Sequence, residues 1–563
     1  MCHRWWRLRH SITRPVFDGR ELPDARGRGK DLGYESMAGK GRSVLIAVAL
    51  VVACVLIQHH ANRARRSHGA GSGDSTLKTI TIAQSNDADT LDPSDVGQAD
   101  TLNVARMMFG TLYSVSPEGK LEPYLAESYE YAEDGRSITF KIKPGLKCED
   151  GEAMTARDVA YSFDRANNPA LKFTGNASGF ILPSLGYRGS RVDDPLTVTL
   201  MVAKYNPIAL GLISEMMIMC RKPYEKMTTE QAATHPLATG PYRLAEWAHD
   251  DRIVLERNKN FTLPAPPYDR VIWRVIPEGS TRSAELIAGN VDIITNVPAD
   301  QIEAINASDT AKVETVSSTR RIYLGFNQSS KFASTPGGKA IGNPAVRAAL
   351  QYAVDVPAIC EALLRAPCER AATMVVPLSD RSGIPATPYD SDRAEKMLDA
   401  AGYPKGPDGT RFSLTLQAPR NLYGNGTVAQ AIGQYLNDIG VKTEVQMLDM
   451  SVYIPLTRKH EAGPLFLLGT GGSTWSALYD MSDLSAPDAG TNYTGWSDPE
   501  FFAGWKQLEG TRDESAQTTI MNQMLQVFHD RSPWLMLYFQ PDIYGVSNKV
   551  KWQPRADEMI TLR

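Results

Sequence analysis

Apolar residues along this chain change their spacing repeatedly, from every second position to every third or fourth. That change restricts the fold more than any other feature. A half-buried strand puts apolar groups at alternate positions, and a helix puts them three and four apart. Lys78–Ala83 alternates, and so does Ser137–Ile142. Leu102, Ala105, Met108 and Phe109 keep helical spacing, with Gly110 as a natural stop. Thr155-Ala-Arg-Asp158 resembles a capping box that opens a helix with Val159, Ala160 and Phe163 inward. Ile253–Glu256 and Arg270–Ile276 read as strands, Ser283–Ala288 as a helix, and Arg321–Asn327 as a strand rich in aromatic and β-branched residues. Beyond residue 320 the pattern becomes repeated helix–strand units. Pro344 sits at a helix start with Val346, Leu350 and Ala353 on one face. Ser391 is placed to cap a helix carrying Ala394, Met397, Leu398 and Ala401, and Thr427 another carrying Val428, Ile432, Leu436 and Ile439. Gly440 then leads into strand Val441–Gln446, and Trp534–Phe539 is a strongly apolar strand. The whole is mixed α/β organisation.

At 563 residues the chain exceeds what one core supports, so two or more domains are expected. With 42% hydrophobic and 22% charged residues, collagen-like, coiled-coil and wholly disordered folds are excluded. Residues 1–77 carry a net charge of +7 within a chain of net −4, so the body is acidic. A basic head on an acidic body suits a targeting segment on a soluble domain. It argues against nucleic-acid binding, which would keep the basic excess in the folded part. Lys40 and Arg42 precede an unbroken apolar run, Val44–Ile57, about as long as a signal-peptide h-region and short for a span. Three fates stay open for this leader: it is cleaved as a signal peptide, cleaved with Cys54 as a lipidated residue, or retained as an anchor through residues 43–57. Residues 67–77 read as a flexible linker.

Catalytic and metal motifs are missing from the sequence. It holds no GxSxG elbow, HExxH, P-loop or GxGxxG after a strand. The body's histidines, His235, His249, His460 and His529, stand apart from one another. The body's cysteines, Cys148, Cys220, Cys360 and Cys368, form no CxxC pair. Cys360 and Cys368 are close enough in sequence to pair in an oxidising compartment, and two free thiols are the alternative. No cofactor and no metal are expected, and the chain is not read as an enzyme.

Several stretches, in order, resemble the family 5 extracellular solute-binding proteins, the dipeptide and oligopeptide receptors of ABC importers. They are Thr90-Leu-Asp-Pro93, Leu121–Ser128, Phe140–Lys147, Thr155–Phe163, Thr239–Trp247, Leu255–Asn258, Val346–Val354, Ala394–Pro404 and Ala431–Val441. Tyr129 and Cys148 stand where the family usually has tryptophan and phenylalanine. The resemblance implies a two-lobed periplasmic-binding-protein fold of the class II, cluster C type, with an extra subdomain in the first lobe. It divides the chain into a leader (1–77), lobe I (78–322 plus 535–563, with the subdomain at about 110–235) and lobe II (323–534). Two strands, near Arg321–Asn327 and Trp534–Gln540, would cross between lobes, and closure would be a hinge motion about them.

The implied function is capture of a short peptide or peptide-like solute and delivery to ABC permease and ATPase subunits. The implied protein is a periplasmic monomer that meets the membrane only through its N-terminal segment. The resemblance places Arg420 at or next to the position that holds a ligand carboxylate. Tyr423, Ser473, Trp475 and Asn492 are expected to line the cleft from lobe II. Asn86, Asp87 and Thr90 follow the first strand and face either the ligand or their own turn. No acid stands near Ser473 to receive a free peptide amine, and Asp480 matches that role only with a shift. A blocked peptide, an opine-like compound or another polar solute therefore stays open. An exported hydrolase of peptides or glycans and a membrane-tethered ligand sensor are the competing classes.

Overall fold

A computed structural model describes residues 77–420, 426–471, 476–484 and 489–562. The apolar run Val44–Ile57, Cys54 and the linker before residue 77 lie outside the described residues. No helix among the described residues is long and apolar enough to cross a membrane.

The strands in chain order are β1 Thr79–Gln84, β2 Tyr113–Val115, β3 Leu121–Pro123, β4 Ala126–Tyr131, β5 Ser137–Ile142, β6 Tyr187–Asp194, β7 Thr197–Val202 and β8 Tyr242–Ala248. They continue with β9 Arg252–Arg257, β10 Arg270–Val275, β11 Ile293–Ile294, β12 Ala311–Phe326, β13 Phe412–Pro419, β14 Val441–Leu448, β15 Leu465–Thr470 and β16 Trp534–Ser547. Ten of them form one sheet in the order β14-β13-β15-β12-β16-β11-β1-β10-β9-β8. The fold is two-lobed, and this sheet runs through both lobes. Only β12 and β16, its two longest strands, belong to both halves. β12 pairs β15 through Arg321–Phe326, while β16 pairs β11 through Gly545 and Val546.

Each half has its own core. In one, Ile80, Ile82, Val271 and Trp273 pack with Val104, Met108 and Tyr242. In the other, Ile322, Leu324, Leu416, Val428 and Ile432 pack together. Burial of each such side chain contributes about 1.5–3 kcal/mol. A four-stranded sheet, β4-β5-β7-β6, forms a third layer with a separate core around Phe140, Phe163 and Leu200.

Local signals act largely as read. Asp158 accepts from both Thr155 N (2.7 Å) and Thr155 Oγ1 (2.8 Å), the expected capping box. Pro344 is the first residue of its helix behind the N-cap Asn343. Two caps are corrected. Asp390, not Ser391, is the N-cap, because its carboxylate accepts from Arg393 N at 2.9 Å. Gly426, not Thr427, precedes the helix Thr427–Asp438, with φ of 81°, a left-handed conformation open to glycine. Cys360 and Cys368 form a disulfide, and so do Cys148 and Cys220, a pairing that nothing in the spacing signalled.

Candidate functional site

The site is built where β12 changes register. Ser317 faces Pro541 on β16, but Arg321 faces Phe539. Ser318, Thr319 and Arg320 therefore stand against Gln540 alone, a large bulge. Pro541 lacks the N–H that a regular ladder needs here. The bulge is held instead by the chain that follows β16. Thr319 N donates to Ala556 O at 2.7 Å. Arg320 forks Glu558, Nε to Oε1 and Nη2 to Oε2, both at 2.9 Å. Asn103, on the helix Ala99–Met108, donates to Glu558 O at 3.2 Å and accepts from Ile560 N at 2.8 Å. Gly471, just past β15, presses on the same bulge. A Cβ there would lie 2.9 Å from Arg320 Cα.

Arg321 turns to the other side. It meets Asp480 at 2.6 Å and also binds Asp483, and the second oxygen of Asp480 accepts from Val376 N at 3.0 Å. Burial works against the Arg321 charge, but the two carboxylates outweigh it and hold the guanidinium protonated. Burial pushes Asp480 up to about 6, with Arg321 opposing the rise.

Above the bulge lies a cavity of about 380 Å³. Asn103, Arg106, Asn176, Phe180 and Glu215 wall it on one side, and Gly469, Thr470, Tyr479, Asp483 and Tyr493 on the other. Thr319–Arg321, Asp557–Met559, Gly471 and Thr491 are also part of the lining. Three cations of this lining differ in how firmly they are held. Arg320 and Arg321 are engaged by carboxylates as described. Arg106 approaches Glu215 at 3.6 Å, and its buried Nε has no hydrogen-bond partner among the described residues. Thr470 Oγ1 is likewise buried without a partner. A second, more apolar cavity of about 590 Å³ adjoins the first and shares Asn103, Arg106, Glu215 and Met559 with it. Phe109, Tyr242, Leu263, Ala265 and Ile560 are among its walls.

The residues expected from sequence are distributed differently. Arg420 lies at the end of β13, exposed, pairing with Asp449 at 3.2 Å, and does not line either cavity. The parallel register of Gln417 with Phe466 sets it level with Gly469, one strand away from the cleft wall. Asn492 is buried between the lining residues Thr491 and Tyr493 and donates to Trp496 O at 2.9 Å. It supports the wall rather than forming its surface. Asn86 donates to Asp100 at 2.8 Å, Asp87 accepts from Trp247 Nε1 at 3.1 Å, and Thr90 Oγ1 accepts from Asp92 N at 3.1 Å. Asn86 thus ties to the helix Ala99–Met108, Asp87 to β8 and Thr90 to its own turn, and none of them lines either cavity. Tyr423, Ser473 and Trp475 lie outside the described residues. Asp480 is spent on Arg321. Missed altogether were Arg106, Glu215, Arg320, Asp483, Asp557 and Glu558. One signal was available: two adjacent arginines in a strand otherwise rich in buried residues demand acidic partners.

Comparison with known proteins agrees with this architecture. The family described as bacterial extracellular solute-binding proteins, family 5 Middle, matches residues 120–492. The glutathione-binding protein GsiB of Escherichia coli (strain K12) is 26% identical over 472 residues, covering 82% of this chain and 88% of that protein. Among solved structures, HbpA2 from Haemophilus parasuis superposes with a TM-score of 0.73 at 21% identity, covering 84% of this chain and 96% of that one. DppA from Helicobacter pylori, in complex with a peptide, gives 0.69 at 20% identity, with 85% and 97% covered. NikA from Brucella suis, in complex with Fe(III)-EDTA, gives 0.73 at 20% identity, with 86% and 98% covered.

Proposed function

The chain belongs to the bacterial extracellular solute-binding proteins of family 5, and from that premise we propose that it captures a short peptide or peptide-like solute in the cavity above the β12 bulge. The family works as the substrate-binding receptor of ABC importers, and this chain is such a receptor rather than an enzyme. The observation that carries the ligand class is the make-up of the cavity. Its charged side chains are of both signs and come from both sides. A closing cleft must pair each charge that it takes from water, or lose several kcal/mol. Such walls suit a solute with its own carboxylate and ammonium. The volume is near the lower end for ligand sites, roughly 300–1,000 Å³, and suits a small solute.

Arg106 is the least firmly held of the three cations, with Nη1 on the Met559 sulfur, Glu215 at 3.6 Å and Nε unpartnered among the described residues, so it takes the solute carboxylate through a planar fork. Asp483, Thr470 and Tyr493 meet the polar groups opposite. Arg420, outside both cavities and in an exposed pair with Asp449, makes a peripheral contact that contributes little. An apolar side chain of the solute extends into the adjoining cavity. The division that goes with this reading puts residues 78–322 and 535–563 in the first lobe and 323–534 in the second, turning about β12 and β16. The chain acts as a periplasmic monomer, held at the membrane through residues 43–57 or a lipid on Cys54. The test is mass spectrometry of small molecules released from the purified, denatured protein, with thermal shifts by di- and tripeptides and glutathione. Release of no amino-acid-containing compound, together with no shift by any of them, would sink the ligand class.

A further inference from the structure

A separate cavity of about 200 Å³ lies in the half of the molecule that holds β13–β15. It shares no lining residue with the cleft cavity. Arg370, Gln351, Ser532 and Trp534 are among its walls. Arg370 is built in firmly. It forms an isolated antiparallel bridge to Tyr538 on β16, and the next residue, Ala371, donates its N–H to Leu537 O at 2.9 Å. The Cys360–Cys368 disulfide closes the loop two residues upstream.

Its guanidinium is nonetheless poorly matched. It donates to Val354 O at 3.2 Å and to Gln351 Oε1 at 3.4 Å, both neutral acceptors, and no carboxylate among the described residues pairs with it. Nearby Arg347 shows the contrast. It also lacks a carboxylate, but the carbonyls of Ile341, Gly342, Arg531 and Ser532 all accept from it. Burial pushes the pKa of Arg370 down to about 10, as it does that of Arg347, so it is the hydrogen bonding that sets the two apart. Trp534 also lines the cavity; it is 1% exposed, and its indole N–H has no acceptor among the described residues. Buried donors such as the Trp534 indole are almost always paired, and the half-buried Arg370 cation gains from an opposite charge in the cavity. One acid lines the cavity, Asp530, but its side chain is 52% exposed and it accepts from Gln526 Nε2 at 2.9 Å.

We infer that this cavity binds a small oxyanion, a carboxylate, phosphate or sulfate, whose oxygens accept from Arg370. A planar fork suits such a group, and the volume admits an ion of that size but not a peptide. The site is independent of the solute in the cleft.

The test is a thermal-shift titration of the full chain with sodium phosphate, sodium sulfate and sodium acetate, each against sodium chloride at matched ionic strength. The native protein should show a saturating rise with at least one oxyanion, following the ligand linkage relation. Arg370→Gln should lose that rise, and Arg370→Lys should keep part of it. Equal rises in the native and Arg370→Gln proteins would show a general salt effect and overturn the site, as would no rise beyond chloride. If Arg370→Gln does not fold, calorimetric titration of the native protein with phosphate decides. Saturable one-site heat supports the site, and heat no greater than that of chloride overturns it.

Discussion

Arg321 reaches Asp480 across 2.6 Å at a depth where their side chains keep only 2% and 3% of their surface. Asp483 completes the set from the cleft side. The strand that enters the second half is thereby locked to the wall that faces the solute. Arg321→Met leaves two acids without their cation and should cost about 3–5 kcal/mol of unfolding free energy. The triple change Arg321→Met, Asp480→Asn, Asp483→Asn should recover most of it. Urea denaturation of both variants checks this, and a harmless single change would show that the triad is not cooperative.

Arg106 and Arg420 make opposite predictions for binding. Loss of a charge-assisted hydrogen bond typically removes about 1.5–3 kcal/mol, or roughly 10- to 100-fold in affinity. Arg106→Ala should show a loss of that size for a peptide that binds the native protein. Arg420→Ala should stay within about threefold, as befits an exposed pair. Calorimetry on both variants is the measurement, and the reverse order would move the carboxylate site to the end of β13.

Ala265 is exposed on a loop that walls the adjoining cavity. Ala265→Trp should fill that space without disturbing a core. Affinity for a tripeptide with a phenylalanine side chain should then fall about tenfold or more, while affinity for triglycine should hold. Equal losses for the two peptides would remove the apolar cavity from the binding site.

Asp542, on β16 beside the bulge, has one carboxylate oxygen shielded from solvent and without a partner among the described residues. Burial raises its pKa well above the usual 3.8, and the charge of Glu558 raises it further. The folded state therefore holds this proton more tightly than the unfolded chain. Its stabilising contribution is complete below the ordinary carboxylate value and is lost as pH rises through the raised one. Stability of the native protein should decline as pH rises above the ordinary carboxylate range, and Asp542→Asn should flatten the decline. Denaturant midpoints across the range decide, and parallel curves for the two proteins would refute the assignment.

The Cys148–Cys220 disulfide joins residues 72 apart, whereas Cys360–Cys368 joins residues 8 apart. Removing the first by paired Cys→Ser changes should cost about 2–5 kcal/mol, and removing the second less, because a shorter loop restrains the unfolded chain less. Thermal melts of the two double variants give the order.

Periodicity carried most of the fold, because each element buries one face and so repeats its apolar residues at its own pitch. Pro344 and the Thr155–Asp158 box marked helix starts through chemistry confined to four residues. The cleft was less legible. Glu558 meets Arg320, and Asp483 meets Arg321, only after more than 150 residues of chain have folded back. Spacing cannot register such a meeting. The disulfide at Cys148 was hidden for the same reason. Asn86, Asp87 and Thr90 follow β1 in the sequence, but nothing local announces that Asp100 and Trp247 engage the first two, while Thr90 meets the backbone of its own turn.

Three residues of β12 stand against a single residue of β16, and two of them also touch the space where a solute would lie. If the solute sits there and the lobes turn about β12 and β16 as proposed, filling that space and swinging the lobes would be one coordinate rather than two events joined by a relay. A residue change in the bulge should shift grip and gape together, and a receptor stiffened there would lose its means of telling the membrane machinery that it is loaded.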